Sequence, residues 1–239
     1  MPFSIWLLVL VGALGIPAVT CAALYRGALV VGRSGPDARR IAVLAGVAWA
    51  AWTALIWALA AAGLFHLPPT QPQPWIPVAV VLGVVIVVAA SRRPAARAIL
   101  ADPGALRLLA WPQVLRVVGV VFLIAMAMGR IPAAFALPAG IGDIVTGLAA
   151  PFAIRSGRVL WLNIVGLLDL VVALALGLLT GVGQGQILAV SPSSELVSTL
   201  PLVLIPLAAV PLAIGLHLVS MTRMGALARE SRRRHVVAA

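Results

Sequence analysis

Seven stretches of roughly 17 to 25 mainly apolar residues, each long enough to cross ~30 Å of hydrocarbon, constrain this chain more than any other feature. They lie at 3–24, 41–65, 76–90, 113–129, 135–154, 159–180 and 200–221 of 239 residues. In hydrocarbon every backbone N–H and C=O has to be satisfied inside its own segment, which leaves the α-helix as the form such runs take. The expectation is an all-α integral membrane protein. It is a seven-transmembrane-helix bundle forming one domain over 1–222, followed by a basic cytoplasmic tail at 223–239. The third run is the shortest and the fifth the most interrupted, so six and eight are the competing counts. Charged residues make up only 10% of the chain, against about a quarter in soluble domains, which excludes an ordinary soluble fold.

The basic residues test the count independently, because short cytoplasmic loops hold them in multi-pass proteins. All 17 are arginine. Seven spans gather Arg26, Arg33, Arg39, Arg40, Arg92, Arg93, Arg97, Arg107, Arg116, Arg155, Arg158 and the five arginines of the tail on one side. Arg130 is left alone on the other. Six or eight spans scramble that segregation, so the N-terminus is expected outside and the C-terminus in the cytoplasm. Exclusive use of Arg with abundant Ala, Gly and Pro resembles the output of a GC-rich bacterial genome, which points to a bacterial cytoplasmic (inner) membrane.

The net charge of +11 is then mainly a topology signal. Its charges are spread over several loops and a tail instead of forming one patch with interleaved aromatics, so no nucleic-acid partner is expected. The expected partners are the lipid bilayer and anionic lipid headgroups at the cytoplasmic face. Without lysine, neither a retinal Schiff base nor pyridoxal chemistry is available, and no cofactor is assigned. Cys21 stands alone, which rules out an intrachain disulfide. His66 and His217 belong to opposite ends of the bundle, and no ligand pair has the spacing of an established motif, so no metal site is assigned.

Three connections carry further expectations. The prolines between Leu67 and Pro74 predict a stiff, extended strap. The loop 181–199 opens with a glycine-rich stretch that lacks the Lys-Ser/Thr ending of a phosphate loop, so it reads as a flexible hairpin. Between Pro94 and Trp111 the apolar residues alternate with arginines, predicting one or two short helices on the membrane surface.

Ionisable residues at mid-span cost roughly 2.5–3.5 kcal/mol on insertion scales and therefore mark partners or water-filled cavities. Asp143 in the fifth span and Asp169 in the sixth fit that description. Each follows a glycine by three residues, in Gly140-Ile-Gly-Asp143-Ile-Val and Gly166-Leu-Leu-Asp169-Leu-Val, a similarity compatible with chance or with an internal duplication. Gly140, Asp143, Thr146 and Gly147 share one helix face, and Pro138, Gly140 and Gly142 could break the helix just before Asp143, as transporter helices are broken. The plainer alternative is a kinked but continuous helix. Asn163, Gly166 and Asp169 cover about 120° of the sixth span. Toward the inner end, Gln113 and Arg116 of the fourth span could join Asn163 and His217 in one polar layer, with snorkelling of Arg116 to the interface as the alternative. Trp49, Trp52 and Trp57 lie deeper than tryptophans normally do, either as an aromatic pocket or as packing between helices. Pro201, Pro206 and Pro211 predict kinks in the last span.

These features favour a small-solute or ion transporter or permease in which the midplane carboxylates are the substrate or proton pathway. Two other readings compete with it: a membrane-embedded enzyme acting on a lipid or isoprenoid by acid catalysis, and a non-catalytic heptahelical sensor or assembly factor.

Overall fold

The computed structural model describes residues 1–67, 71, 73–181 and 186–237, and all regular structure among them is helical. In chain order the helices are α1 (Phe3–Val30), α2 (Gly35–Ala61), α3 (Trp75–Ser91), α4 (Pro94–Leu100), α5 (Pro103–Leu108), α6 (Val120–Ala127), α7 (Ala133–Ser156), α8 (Val159–Leu179) and α9 (Val210–Val237). A 3-10 helix, Trp111–Gly119, leads into α6, and a π turn, Ile205–Ala209, leads into α9. Six units are long and apolar enough to cross a membrane: α1, α2, the run Pro103–Ala127, α7, α8 and Ile205–Arg229. The 17 residues of α3 reach roughly 25 Å at about 1.5 Å per residue. It counts as a seventh span when joined to α4, from which it bends by 81°.

The first connection is much shorter than the arginine-bearing stretch 25–40 suggests. Gly32, in the left-handed region with φ +76°, turns the chain after α1. Ser34 caps α2 by accepting from the Asp37 N–H at 3.3 Å, with Pro36 in the first turn. Arg26, Arg39 and Arg40 therefore project from helix ends that continue past the apolar run. At the other extreme α9 runs unbroken to Val237, so residues 223–237 are helical and continuous with the last apolar run. Residues 68–70 and 72 of the proline strap and the glycine-rich stretch 182–185 lie outside the described residues.

Residues 94–108 form two short helices, but their apolar side is not free to lie on a bilayer. Ile99 and Ala105 are buried with Ala28 of α1 and Ala38 of α2. Gly27 permits the approach, since a Cβ there would come within 2.8 Å of the Ile99 side chain.

The last span is the centre of the bundle. Of its most apolar window 83% is buried, against 22% in α2 and in α8. Close packing on α3 comes from two glycines: Gly83 faces Pro211, and Gly215 faces Val87.

The proline expectations divide: the break before Asp143 is not seen, while the last span is irregular where its prolines predict. α7 is continuous through Pro138, Gly140 and Gly142, with no break before Asp143. Irregular backbone occurs in the 3-10 stretch, which the sequence reading did not anticipate, and in the π turn, which contains Pro206 of the last span. In an α-helix the Leu207 carbonyl would accept from the N–H four residues on, but that residue is Pro211, which has none. The indole Nε1 of Trp52 donates to this carbonyl at 2.8 Å. Trp52→Phe, which keeps the ring and removes the donor, is expected to cost about 1–3 kcal/mol, read as a lower unfolding midpoint in detergent. The cost should shrink in a Pro211→Ala background, where a backbone N–H is restored. Equal costs in both backgrounds would show that the bond does not compensate for the proline.

Candidate functional site

The 3-10 geometry of residues 111–119 decides which side chains meet. At three residues per turn, side chains three apart eclipse one another, so Gln113, Arg116 and Gly119 stand in one row, all buried. Arg116 and Gly119 face α7. The volume a Cβ would occupy at Gly119 is taken by the Asp143 side chain, whose Oδ2 comes within 2.7 Å of it. Gly147, one turn along α7, lets the two helices touch, since a Cβ there would lie 2.8 Å from both the backbone nitrogen and a methyl of Val117.

Arg116 is held by three hydrogen bonds. Its Nε donates to Asp143 Oδ1 at 2.7 Å, Nη1 donates to the Gly166 carbonyl at 3.1 Å, and Nη2 donates to Asp169 Oδ2. The guanidinium is 2% exposed and the two carboxylates 13% and 14%. Its stem does not snorkel to an interface. One arginine faces two aspartates, so with both ionised the triad carries a net charge of minus one. Glycines make room on each side: Gly142 of α7 abuts the Asp169 carboxylate, and Gly166 of α8 abuts Arg116 and His217.

Asn163 and His217 form a second group toward the arginine-rich end. Asn163 Nδ2 donates to Ser220 Oγ at 2.8 Å, which turns Asn163 Oδ1 toward His217 Nδ1 at 2.9 Å. That acceptor assigns the proton to Nδ1 and leaves a lone pair on Nε2. Nε2 has no partner among the described residues and sits over Gly166, where Arg116 Nη1 also approaches. Met224 Sδ closes this group, 3.9 Å from both Asn163 Nδ2 and Ser220 Oγ. Thus Arg116 meets Asp143 and Asp169 directly, whereas Asn163 and His217 adjoin it across Gly166.

The remaining predicted residues divide. Gln113 and Thr146 are buried near the triad, but Gln113 Oε1 and Thr146 Oγ1 lack partners among the described residues. Trp49 and Trp52 pack with ring centroids 6.3 Å apart, while Trp57 turns away to meet Trp6 at 5.6 Å. Sequence reasoning did not single out Gly119, Ser220 or Met224, and it read Gly142 as a helix breaker. Ser220, three residues after His217 on one helix face, carried a usable signal. Gly119 did not, because its alignment with Arg116 depends on a 3-10 helix.

A cavity of about 400 Å³ lies between α3 and α8, backed by α6, α7 and the π turn. Its lining runs along α8 from Leu178 to Leu170, roughly 12 Å, and reaches Asp143. Phe122 and Phe135 line it as an edge-to-face pair 5.1 Å apart. Its mouth holds Gln73, Ser194, Glu195 and Ser198. There Glu195 Oε1 lies 3.3 Å from His66 Nδ1, tying the two connections at that end. Among the described residues no three His, Cys, Asp or Glu side chains gather into a group that could hold a metal.

A family model described as a domain of unknown function, DUF8737, matches residues 73–224. The chain belongs to that family. The DUF8737 region begins at Gln73 in the cavity mouth and ends at Met224 of the polar group, so it contains the whole triad, the Asn163–His217 pair and the cavity lining. α1 and α2, with all three deep tryptophans, lie outside it. No curated protein and no solved structure matches the chain.

Proposed function

We propose that this protein is a small-solute transporter that alternates between outward- and inward-open states around the Arg116–Asp143–Asp169 triad. In this reading seven helices cross a bacterial cytoplasmic membrane. The N-terminus is outside, and the arginine-rich end lies in the cytoplasm against anionic headgroups. The observation that carries the reading is the cavity: it descends from the end bearing Glu195 and stops at Asp143. Beyond that point the way is filled by Arg116 and the Asn163–His217–Ser220 group. A cavity open to one side and closed at mid-depth by a charged group is half of an alternating-access cycle. The odd carboxylate supplies a coupling site, because a triad with one positive and two negative groups is neutral only with a proton or another cation aboard. Irregular backbone in the 3-10 stretch and the π turn gives the elements around the cavity places to bend.

Cysteine labelling tests this without a known solute. In a Cys21→Ala background, a cysteine at Leu174 in the cavity and one at Ser220 beneath the triad report the two faces. Leu174→Cys should react with a membrane-impermeant maleimide from outside and Ser220→Cys from the cytoplasmic side, and conditions that slow one should speed the other. Asp143→Asn should shift the ratio of the two rates roughly ten-fold, the effect of ~1.4 kcal/mol on a two-state equilibrium. A ratio that stays fixed across pH and in Asp143→Asn and Asp169→Asn would retire the reading.

A further inference from the structure

We infer that the cavity is a binding site for an organic monocation, a protonated amine or quaternary ammonium carried on an apolar body. The inference rests on the transport reading for the claim that the bound cation is carried, and it names the class of solute.

Three observations converge on it. The first is charge. Glu195 at the mouth and Asp143 at the floor are the ionisable residues of the described lining, and no basic side chain belongs to it. Arg116, behind Asp143, is shared with Asp169, so the floor as a whole is not positive. His66 meets Glu195 on the rim and stands outside the lining. A monocation beside Asp143 would bring the triad to charge balance, whereas an anion would face an acid at each end.

The second is the wall between those acids. Ile76, Val80, Leu170, Leu174 and Val210 make it apolar, which suits a hydrocarbon body and excludes a strongly hydrated inorganic ion. The third is the Phe122–Phe135 pair. Both rings line the cavity, and an aromatic face attracts a cation within about 6 Å, more strongly when water is excluded. A volume of about 400 Å³ falls at the lower end of the range for small-molecule sites, roughly 300–1,000 Å³.

The test uses two probes of nearly the same shape and opposite charge, tetraphenylphosphonium and tetraphenylborate. Each is equilibrated with the purified full-length protein in detergent, with protein-free micelles as the blank. Saturable binding of the phosphonium at one site per chain is expected, at least about ten-fold tighter than the borate. Glu195→Gln and Phe122→Leu should each weaken it, by roughly three- to ten-fold. Equal or tighter binding of the borate would overturn the inference. So would phosphonium binding that is unchanged in both variants. The two failures are distinguishable. If the borate wins while the paired cysteines still label reciprocally, the solute class is wrong and transport stands. If the phosphonium binds as expected while the labelling ratio never moves, the cation site stands and transport falls.

Discussion

Arg116→Leu is expected to lower the unfolding midpoint in detergent by roughly 10 °C, from a loss of about 3–5 kcal/mol. The substitution leaves Asp143 and Asp169 facing each other with no counter-charge, and both are largely buried. Breaking a buried ion pair by removing one partner is costly because the other charge stays behind. The charge count predicts an asymmetry. Asp169→Asn keeps an acceptor for Arg116 Nη2 and leaves a one-to-one pair with Asp143, so it should change stability by less than about 1 kcal/mol. Thermal unfolding followed by tryptophan fluorescence checks both arms. If Asp169→Asn is as damaging as Arg116→Leu, the triad acts through packing and not through its charge balance. Combining Arg116→Leu with Asp143→Asn and Asp169→Asn should recover much of the loss, because no charge is then stranded.

Gly142→Ala is the second large effect, and its sign opposes intrinsic propensity. On an unconstrained helix the change would stabilise by about 0.8–1 kcal/mol. Here the added Cβ would overlap the Asp169 carboxylate. α7 cannot retreat easily, because Gly147 and Asp143 are packed against the 3-10 stretch at the same time. The expected net loss is about 1–3 kcal/mol. Gly35→Ala, with open space around it, should be neutral within about 0.5 kcal/mol. The decisive variant is the double, Gly142→Ala with Asp169→Ala, in which the contact is removed from both sides. It should be clearly more stable than the sum of the two single effects predicts. Strict additivity would mean that Gly142 matters for some reason other than the room it gives Asp169.

The polar side chains were the legible part of this molecule. Asp143, Asp169 and Arg116 stand out because a charge inside an apolar run needs a reason, and the structure places all three in hydrogen-bond contact. Asn163 and His217 stand out for the same reason, and they too meet. The apolar majority was not legible. In an aqueous protein the hydrophobic face of a helix marks its buried side, but a run that is apolar all round carries no such mark. Nothing in the runs therefore distinguishes the central last span from the peripheral α2 and α8, or tells that Trp52 reaches a proline-freed carbonyl while Trp57 meets Trp6.

Sequence by itself determined the helical class, the approximate extents of the long apolar helices and the short roster of polar residues within them, because each follows from a local rule about segment length, backbone satisfaction or the cost of a charge. Tertiary structure alone decided the pairing of one arginine with two aspartates, the three glycines that clear space around them, and a cavity that ends at Asp143. These depend on which faces of separate helices meet and on a local switch from α to 3-10 winding. Both are settled by packing between segments distant in the chain, where local rules have no purchase.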